Sequence, residues 1–137
     1  MSATLVDSSV LLDILTQDPS WFDWSSRALA EAADGSRLVI NVVVYAEVSA
    51  RFSRIEDFEE ALAPVIEREA IPFEAGFLAG KAYGAYRRKS GARLSPLPDF
   101  FIGAHAAIAG YRLITRDAAR IRTYFPQLRL ITPKPTT

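Results

Sequence analysis

Four carboxylates in this chain have types and positions that could do chemistry together. Asp7 closes an apolar run near the start, Glu47 lies inside an apolar helical stretch, Asp99 opens an Ala-rich helix, and Asp117 ends Thr115-Arg116-Asp117 after a further apolar run. The last two are isolated: residues 81–137 carry eleven Lys or Arg and only these two acids, whereas residues 1–80 carry fourteen acids and five bases. If the four converge, each pair about 4 Å apart repels by roughly 4 kcal/mol at an effective dielectric near 20, against a net folding stability of about 5–15 kcal/mol. Such a cluster needs a cation or protons. Carboxylates and water are hard donors, so the expected cation is Mg²⁺, with Mn²⁺ as a substitute. An ion of that kind activates a water as nucleophile and offsets charge on phosphoryl oxygens, which makes phosphodiester hydrolysis the candidate reaction.

Gathering residues so distant in sequence requires a fold that brings strand ends together. Short, partly β-branched apolar runs alternate here with stretches of helical period, the pattern of βαβ units around a parallel sheet. Five strands are expected, at Thr4–Val6, Leu38–Ile40, Ala70–Phe73, Arg112–Ile114 and Leu128–Ile131. Helices are expected from Asp7 to the Asp18-Pro19 break, from Trp21 to Ala33, after Asn41 as N-cap, and from Ile55 to Glu69 with a break at Pro64. Further helices are expected over Glu74–Ser90, Asp99–Ala109 and Ala118–Tyr124. The basic run Arg87-Arg88-Lys89 before Gly91 suits a helix end, and Ser95-Pro96-Leu97-Pro98 reads as a rigid loop leading into the next helix. In an open parallel sheet the ligand site lies outside the carboxyl ends of the strands, and Asp7, Glu47, Asp99 and Asp117 all map to that edge.

Composition narrows the alternatives. At 137 residues and 50% apolar, the chain forms one α/β domain over residues 1–132 with a short tail at 133–137. The absence of cysteine excludes disulfides and thiolate metal sites. The single histidine, His105, leaves no imidazole pair; on a regular helix it faces away from Asp99. No secretion signal or membrane-spanning run is recognisable, so a cytoplasmic protein is expected. Neither glycine fingerprint of nucleotide-binding folds is present. A phosphoacceptor domain of the receiver type is disfavoured because the expected third strand, ending Ile71-Pro72-Phe73, is followed by no acceptor Asp.

The segments LVDSSVLLDIL at the start, YAEV around Glu47, and PLPDFFIGAHAAIAGYRLITRDAARIRTYFPQLRLITP from Pro96 to Pro133 resemble the PIN-domain nucleases, in particular the VapC-type toxins of type II toxin-antitoxin modules. The resemblance covers almost the whole chain. It implies a PIN-like α/β domain with a central, mostly parallel five-stranded sheet flanked by helices on both faces. It also implies Mg²⁺-dependent endoribonuclease activity through metal-activated water, with Asp7, Glu47, Asp99 and Asp117 as the catalytic set. Asp7 and Asp99 are then the principal metal ligands, Glu47 and Asp117 act directly or through water, and Ser8 and Thr115 are supporting hydroxyls. A homodimer and a cognate antitoxin are implied as partners beside the RNA substrate. Asn41 departs from the Ser or Thr that relatives often carry before the Glu-bearing helix.

Plainer roles stand beside these. Asp99 and Asp117 could be N-caps, worth about 1 kcal/mol each, and Asp13 and Asp18 read as solvated or capping groups. Glu47, in the interior of an apolar helix, has no capping role. Arg116 and Arg120 flank Asp117 and are the first candidates for RNA phosphate contacts; Arg87 and Arg88, with Lys89 and Arg93, could be either contacts or a solvated helix end. Trp21 and Trp24 fit packing better than base stacking. The alternative to an enzyme is a catalytically silent PIN-like module that binds RNA or a partner.

Overall fold

The computed structural model of the chain describes residues 2–90 and 97–134. The elements in chain order are β1 (Ala3–Val6), α1 (Ser8–Leu15), α2 (Phe22–Gly35), β2 (Arg37–Ile40), α3 (Val42–Ser49), α4 (Ile55–Ala61) and β3 (Ile66–Arg68). They continue with α5 (Phe73–Ser90), α6 (Leu97–Ala109), β4 (Arg112–Ile114), α7 (Ala118–Tyr124) and β5 (Leu130–Ile131). The strands form one parallel sheet in the order β3-β2-β1-β4-β5. Right-handed crossovers place the helices of the two directions of winding on opposite faces. The middle strands are therefore covered twice and read as continuous apolar runs: Leu5, Val6, Val39, Ile40, Leu113 and Ile114 are all buried.

Local chemistry sets the helix ends that matter for the site. Asp7 caps α1 by accepting the Ser8 amide, and Asn41 caps α3 by accepting from the Val43 and Val44 amides, both at 3.0 Å. α1 closes where Gln17 takes a left-handed φ of 52°. Asp18 then accepts the Ser20 and Trp21 amides ahead of α2. Asp18 is thus a capping group, as expected.

The third strand lies elsewhere than expected. Residues 70–72 are irregular and Phe73 already belongs to α5, while β3 is Ile66–Arg68, inside the stretch read as helix. Pro64 cannot continue α4, which stops at Ala61. Pro72 lacks the amide a ladder requires, and its carbonyl instead accepts the Ala75 amide at the head of α5. β3 is an edge strand with one buried side chain, Ile66. Its Glu67 and Arg68 face out and pair with Arg37 and Glu59, charges that protect a sheet edge. The receiver reading gains nothing from the shift, since Glu69 follows this strand and accepts the Tyr111 hydroxyl at 2.8 Å. Gly91, Arg93 and the 95–96 part of the proline loop lie outside the described residues, as do residues 135–137 of the tail.

α6 crosses the sheet close to Phe125, and the approach requires glycine. A Cβ at Gly103 would stand 2.6 Å from the Phe125 ring, whereas one at Gly80, on α5, would meet nothing within 4 Å. Alanine gains about 1 kcal/mol of helix propensity over glycine, but overpacking costs about 1–3 kcal/mol. Gly103→Ala is therefore expected to lower stability by about 1 kcal/mol in urea denaturation, while Gly80→Ala raises it by up to about 1 kcal/mol. Two shifts of the same sign would show that the Phe125 contact does not govern this position.

Candidate active site

In the order β3-β2-β1-β4-β5 the chain winds away from β1 in both directions, so a crevice opens at the carboxyl ends of β1 and β4. Asp7 stands on one side of it. Its amide donates to the Ile114 carbonyl at 3.0 Å, and its carboxylate accepts the Ser9 hydroxyl at 2.9 Å and the Thr115 hydroxyl at 2.7 Å. Thr115 follows β4, and its Oγ1 also accepts the Asp117 amide at 3.1 Å, so one hydroxyl ties together the ends of both central strands. Ser8 donates to Glu47 at 2.8 Å, which joins α1 to α3. The hydroxyls of Ser8 and Thr115 thus each donate to a carboxylate, Glu47 and Asp7 respectively.

Asp99 lies in the first turn of α6, which begins two residues earlier at Leu97, and it accepts Arg120 Nη1 at 2.8 Å. Its carboxyl is pushed up to about 6, first by burial and then by the charge of Asp7; Arg120 opposes the rise, and Glu47 and Asp117 add to it. Glu47 is also raised, chiefly by burial, with the Ser8 hydrogen bond opposing and the charge of Asp7 adding. The charges of Asp7, Glu47 and Asp117 therefore all reach Asp99, and that of Asp7 also reaches Glu47. Asp117 occupies the N-cap position of α7 but makes no capping hydrogen bond with its side chain, so capping does not account for it.

Asp7, Asp99 and Asp117 line a cavity of about 300 Å³ together with Ser8 and Thr115. Its donor chemistry suits a hard divalent cation: every candidate ligand is oxygen, and the unrelieved charge falls on Asp99. The set is not drawn together to coordination distance, because among the described residues no three His, Cys, Asp or Glu side chains stand close enough to share an ion. Arg120 supplies the positive charge nearest to Asp99.

The remaining expectations divide. Asp13, read as solvated, is 2% exposed and accepts Ser25 Oγ and Arg116 Nε at 2.7 Å each, with Arg116 Nη2 at 3.0 Å. Arg116 also lies over the Trp21 ring at 5.1 Å, and Trp21 meets Trp24 edge to face, so the tryptophans pack as expected. Arg116 is thus held by a buried carboxylate on α1. Nothing local marked Asp13 for burial; only its place on the apolar face with Val10 could have signalled it. Arg87 and Arg88 are exposed near the end of α5, and Arg87 lies over Tyr83. Neither is among the residues that line the cavity. Arg51, which the sequence reading passed over, does line it.

His105 faces away from the cavity, as its helical angle predicts. It is fully buried, and its Nδ1 lies 3.0 Å from Asn41 Nδ2. Asn41 Oδ1 is already used by the α3 amides, so the amide nitrogen donates, Nδ1 accepts, and the ring proton sits on Nε2. Nε2 stands 3.9 Å from Glu69 Oε2, and neither atom has a hydrogen-bond partner among the described residues. Burial lowers the His105 pKa, against the charge of Glu69. The asparagine departure at this position is therefore matched by a histidine that can receive its amide.

The cavity and its carboxylates lie at the switch point of a parallel α/β sheet, where open sheets of this kind bind their ligands. The chain belongs to the PIN-domain family, whose model matches residues 4–126. Among solved structures it is similar to VapBC2 from Rickettsia felis bound to a DNA fragment from its promoter, with a TM-score of 0.71, 17% identity, and coverage of 95% of this chain and 98% of that one. It is also similar to VapBC-1 from nontypeable Haemophilus influenzae (TM-score 0.70, 17% identity, 95% and 97% covered). A toxin-antitoxin complex from Klebsiella pneumoniae matches with a TM-score of 0.66 and 20% identity over 97% and 99%. No curated protein sequence matches. No helix among the described residues is long and apolar enough to cross a membrane.

Removing one partner of a buried ion pair strands the other charge, at a cost of about 3–5 kcal/mol. Arg116→Met is expected to lose about 3 kcal/mol in urea denaturation, less for its partial exposure, and Asp13→Asn in the same chain should restore part of it. A loss under about 1 kcal/mol would mean that water still reaches Asp13. For His105 the folded pKa is below the unfolded value near 6.5. Its contribution is therefore complete above about 6.5 and is lost as pH falls through the folded pKa. Urea midpoints taken between about pH 7.5 and 5 should fall less steeply for His105→Gln than for the native chain; equal slopes would remove His105 as a source of acid lability.

Proposed function

We propose that the chain is a Mg²⁺-dependent endoribonuclease and the toxin of a type II toxin-antitoxin pair. The observation that carries this reading is that Asp7, Asp99 and Asp117 line one cavity of a PIN-domain fold, with Glu47 tied to the lining residue Ser8. Asp7 and Asp99 hold the ion, with Glu47 and Asp117 completing the site directly or through water, and Mn²⁺ able to replace Mg²⁺. The bound ion supplies a Lewis acid that acidifies water and offsets phosphoryl charge. Ser8 and Thr115 hold the carboxylates of Glu47 and Asp7 by hydrogen bonds. Arg120 balances Asp99, and the raised pKa of Glu47 fits it to take a proton from water. The similar solved structure from Klebsiella pneumoniae is described as a toxin-antitoxin complex, which supports a cognate antitoxin as partner; a homodimer and a cytoplasmic location complete the proposal.

The second reading, a catalytically silent module that binds RNA or a partner, draws on one observation. The carboxylates are not at coordination distance, and Arg120 holds Asp99. Incubation of purified protein with total RNA separates the two. Catalysis predicts fragments with 5′-phosphate ends that EDTA abolishes, and a loss of at least about 100-fold for Asp7→Asn or Asp99→Asn with unchanged circular dichroism. Salt-sensitive RNA binding without product in Mg²⁺ or Mn²⁺ favours the silent module.

A further inference from the structure

The cavity at the switch point has an unfavourable charge for the substrate proposed above. Asp7, Asp13, Asp18, Asp99 and Asp117 line it against three bases, Arg51, Arg116 and Arg120. A polyanion entering this cavity needs positive charge that is not already bound to carboxylate. Arg116 is held by buried Asp13, and releasing it would strand that charge. Arg120 is held by Asp99 through an ion pair at 2.8 Å. Among the described residues the Arg51 guanidinium has no salt bridge or hydrogen bond, so it has no bond to break before meeting a ligand.

Its backbone is nonetheless well anchored. The Arg51 amide donates to the Val48 carbonyl at 3.1 Å and the Phe52 amide to the Ser49 carbonyl at 2.9 Å, which fixes the chain where α3 ends. The Phe52 ring packs on buried Phe58 with centroids 5.1 Å apart. Arg51 lies four residues past Glu47, in the turn just beyond the end of α3. The cavity follows the facing helix in the same direction, from Ser8 through Leu12 to Thr16. Arg51 and the carboxylates Asp7, Asp99 and Asp117 line the same cavity, so a strand whose reacting phosphate lies at those acids has Arg51 within the same cavity.

We infer that Arg51 binds a backbone phosphate of single-stranded RNA next to the reacting one. The fork of its guanidinium matches two phosphate oxygens. This inference rests on the ribonuclease reading for its ligand. It assigns the phosphate contact to a residue outside the basic C-terminal segment, and leaves Arg116 and Arg120 to hold the site's own carboxylates.

The test is binding of a fluorescent single-stranded RNA to full-length Asp7→Asn protein, which prevents turnover, between about 50 and 200 mM salt. Added Arg51→Gln is expected to weaken binding by about 3–10-fold at low salt and to reduce the slope of log K against log salt by about 0.7, the value for one single-strand phosphate contact. Arg51→Lys should recover the slope. Arg54→Gln removes the same charge from an exposed arginine paired with Glu56 and should leave the slope unchanged. Equal effects of Arg51→Gln and Arg54→Gln, or no effect of Arg51→Gln on a parent that binds RNA, overturn the assignment alone. A parent that binds no RNA overturns the ribonuclease reading and this inference with it. Melting temperatures within about 2 °C of the parent, under about 1 kcal/mol for a domain of this size, separate a lost contact from a lost fold.

Discussion

Repulsion among Asp7, Glu47, Asp99 and Asp117 is the constraint on which the arrangement around the sheet depends. Burial and the charge of Asp7 raise the pKa of both Asp99 and Glu47, and Glu47 and Asp117 add to the rise at Asp99. The fold counters this at three of the four with hydroxyls and a guanidinium group. Ser9 and Thr115 serve Asp7, Ser8 serves Glu47, and Arg120 serves Asp99. These partners come from the first turn of α1, the residue after β4 and α7, so the charge cluster can be held only when the whole switch point is assembled.

That requirement explains why rigid packing surrounds the crevice. Asp7 and Thr115 are set by strands whose side chains are almost wholly buried, and α6 brings Asp99 in across a contact so close that Gly103 has no room for a methyl group beside Phe125. Asn41 and His105 join the start of α3 to α6 behind the site, the two helices that carry Glu47 and Asp99. Asp13 and Arg116 join α1 to the loop after β4 on its near side. The polar groups buried here are satisfied in pairs, which fits the high cost of leaving one unpaired. The Nε2 of His105 and Oε2 of Glu69 are exceptions among the described residues, and they face one another.

Most of the fold was legible because periodicity and caps are local. β1, β2, β4, α3 and α7 stand within a residue of expectation, since each has a run of apolar residues or a cap that does not depend on distant partners. β3 was misplaced for a physical reason. An edge strand buries one face over a short length, and Ile66-Glu67-Arg68 carries charges that in isolation suit a helix. The apolar run at 70–73 looked more like a strand, yet its Pro72 serves to start α5. Arg116 shows the same limit at the site: its neighbourhood to Asp117 in sequence suggested a phosphate contact, while its guanidinium reaches Asp13 across the fold.

The sequence by itself determined the class of fold and which four acids deserved suspicion, because strand and helix periods, N-caps and a charge imbalance are read along the chain. Asp99 and Asp117 stood out among basic residues without any structure. Only the tertiary structure decided how charges are paired. Coulomb energy and burial depend on distance through space, and residues separated by about a hundred positions, such as Asp7 with Thr115 or Asp13 with Arg116, meet only after β1 and β4 are side by side. For the same reason the fold alone could distinguish arginines already bound to carboxylates from Arg51, whose charge is left facing the cavity.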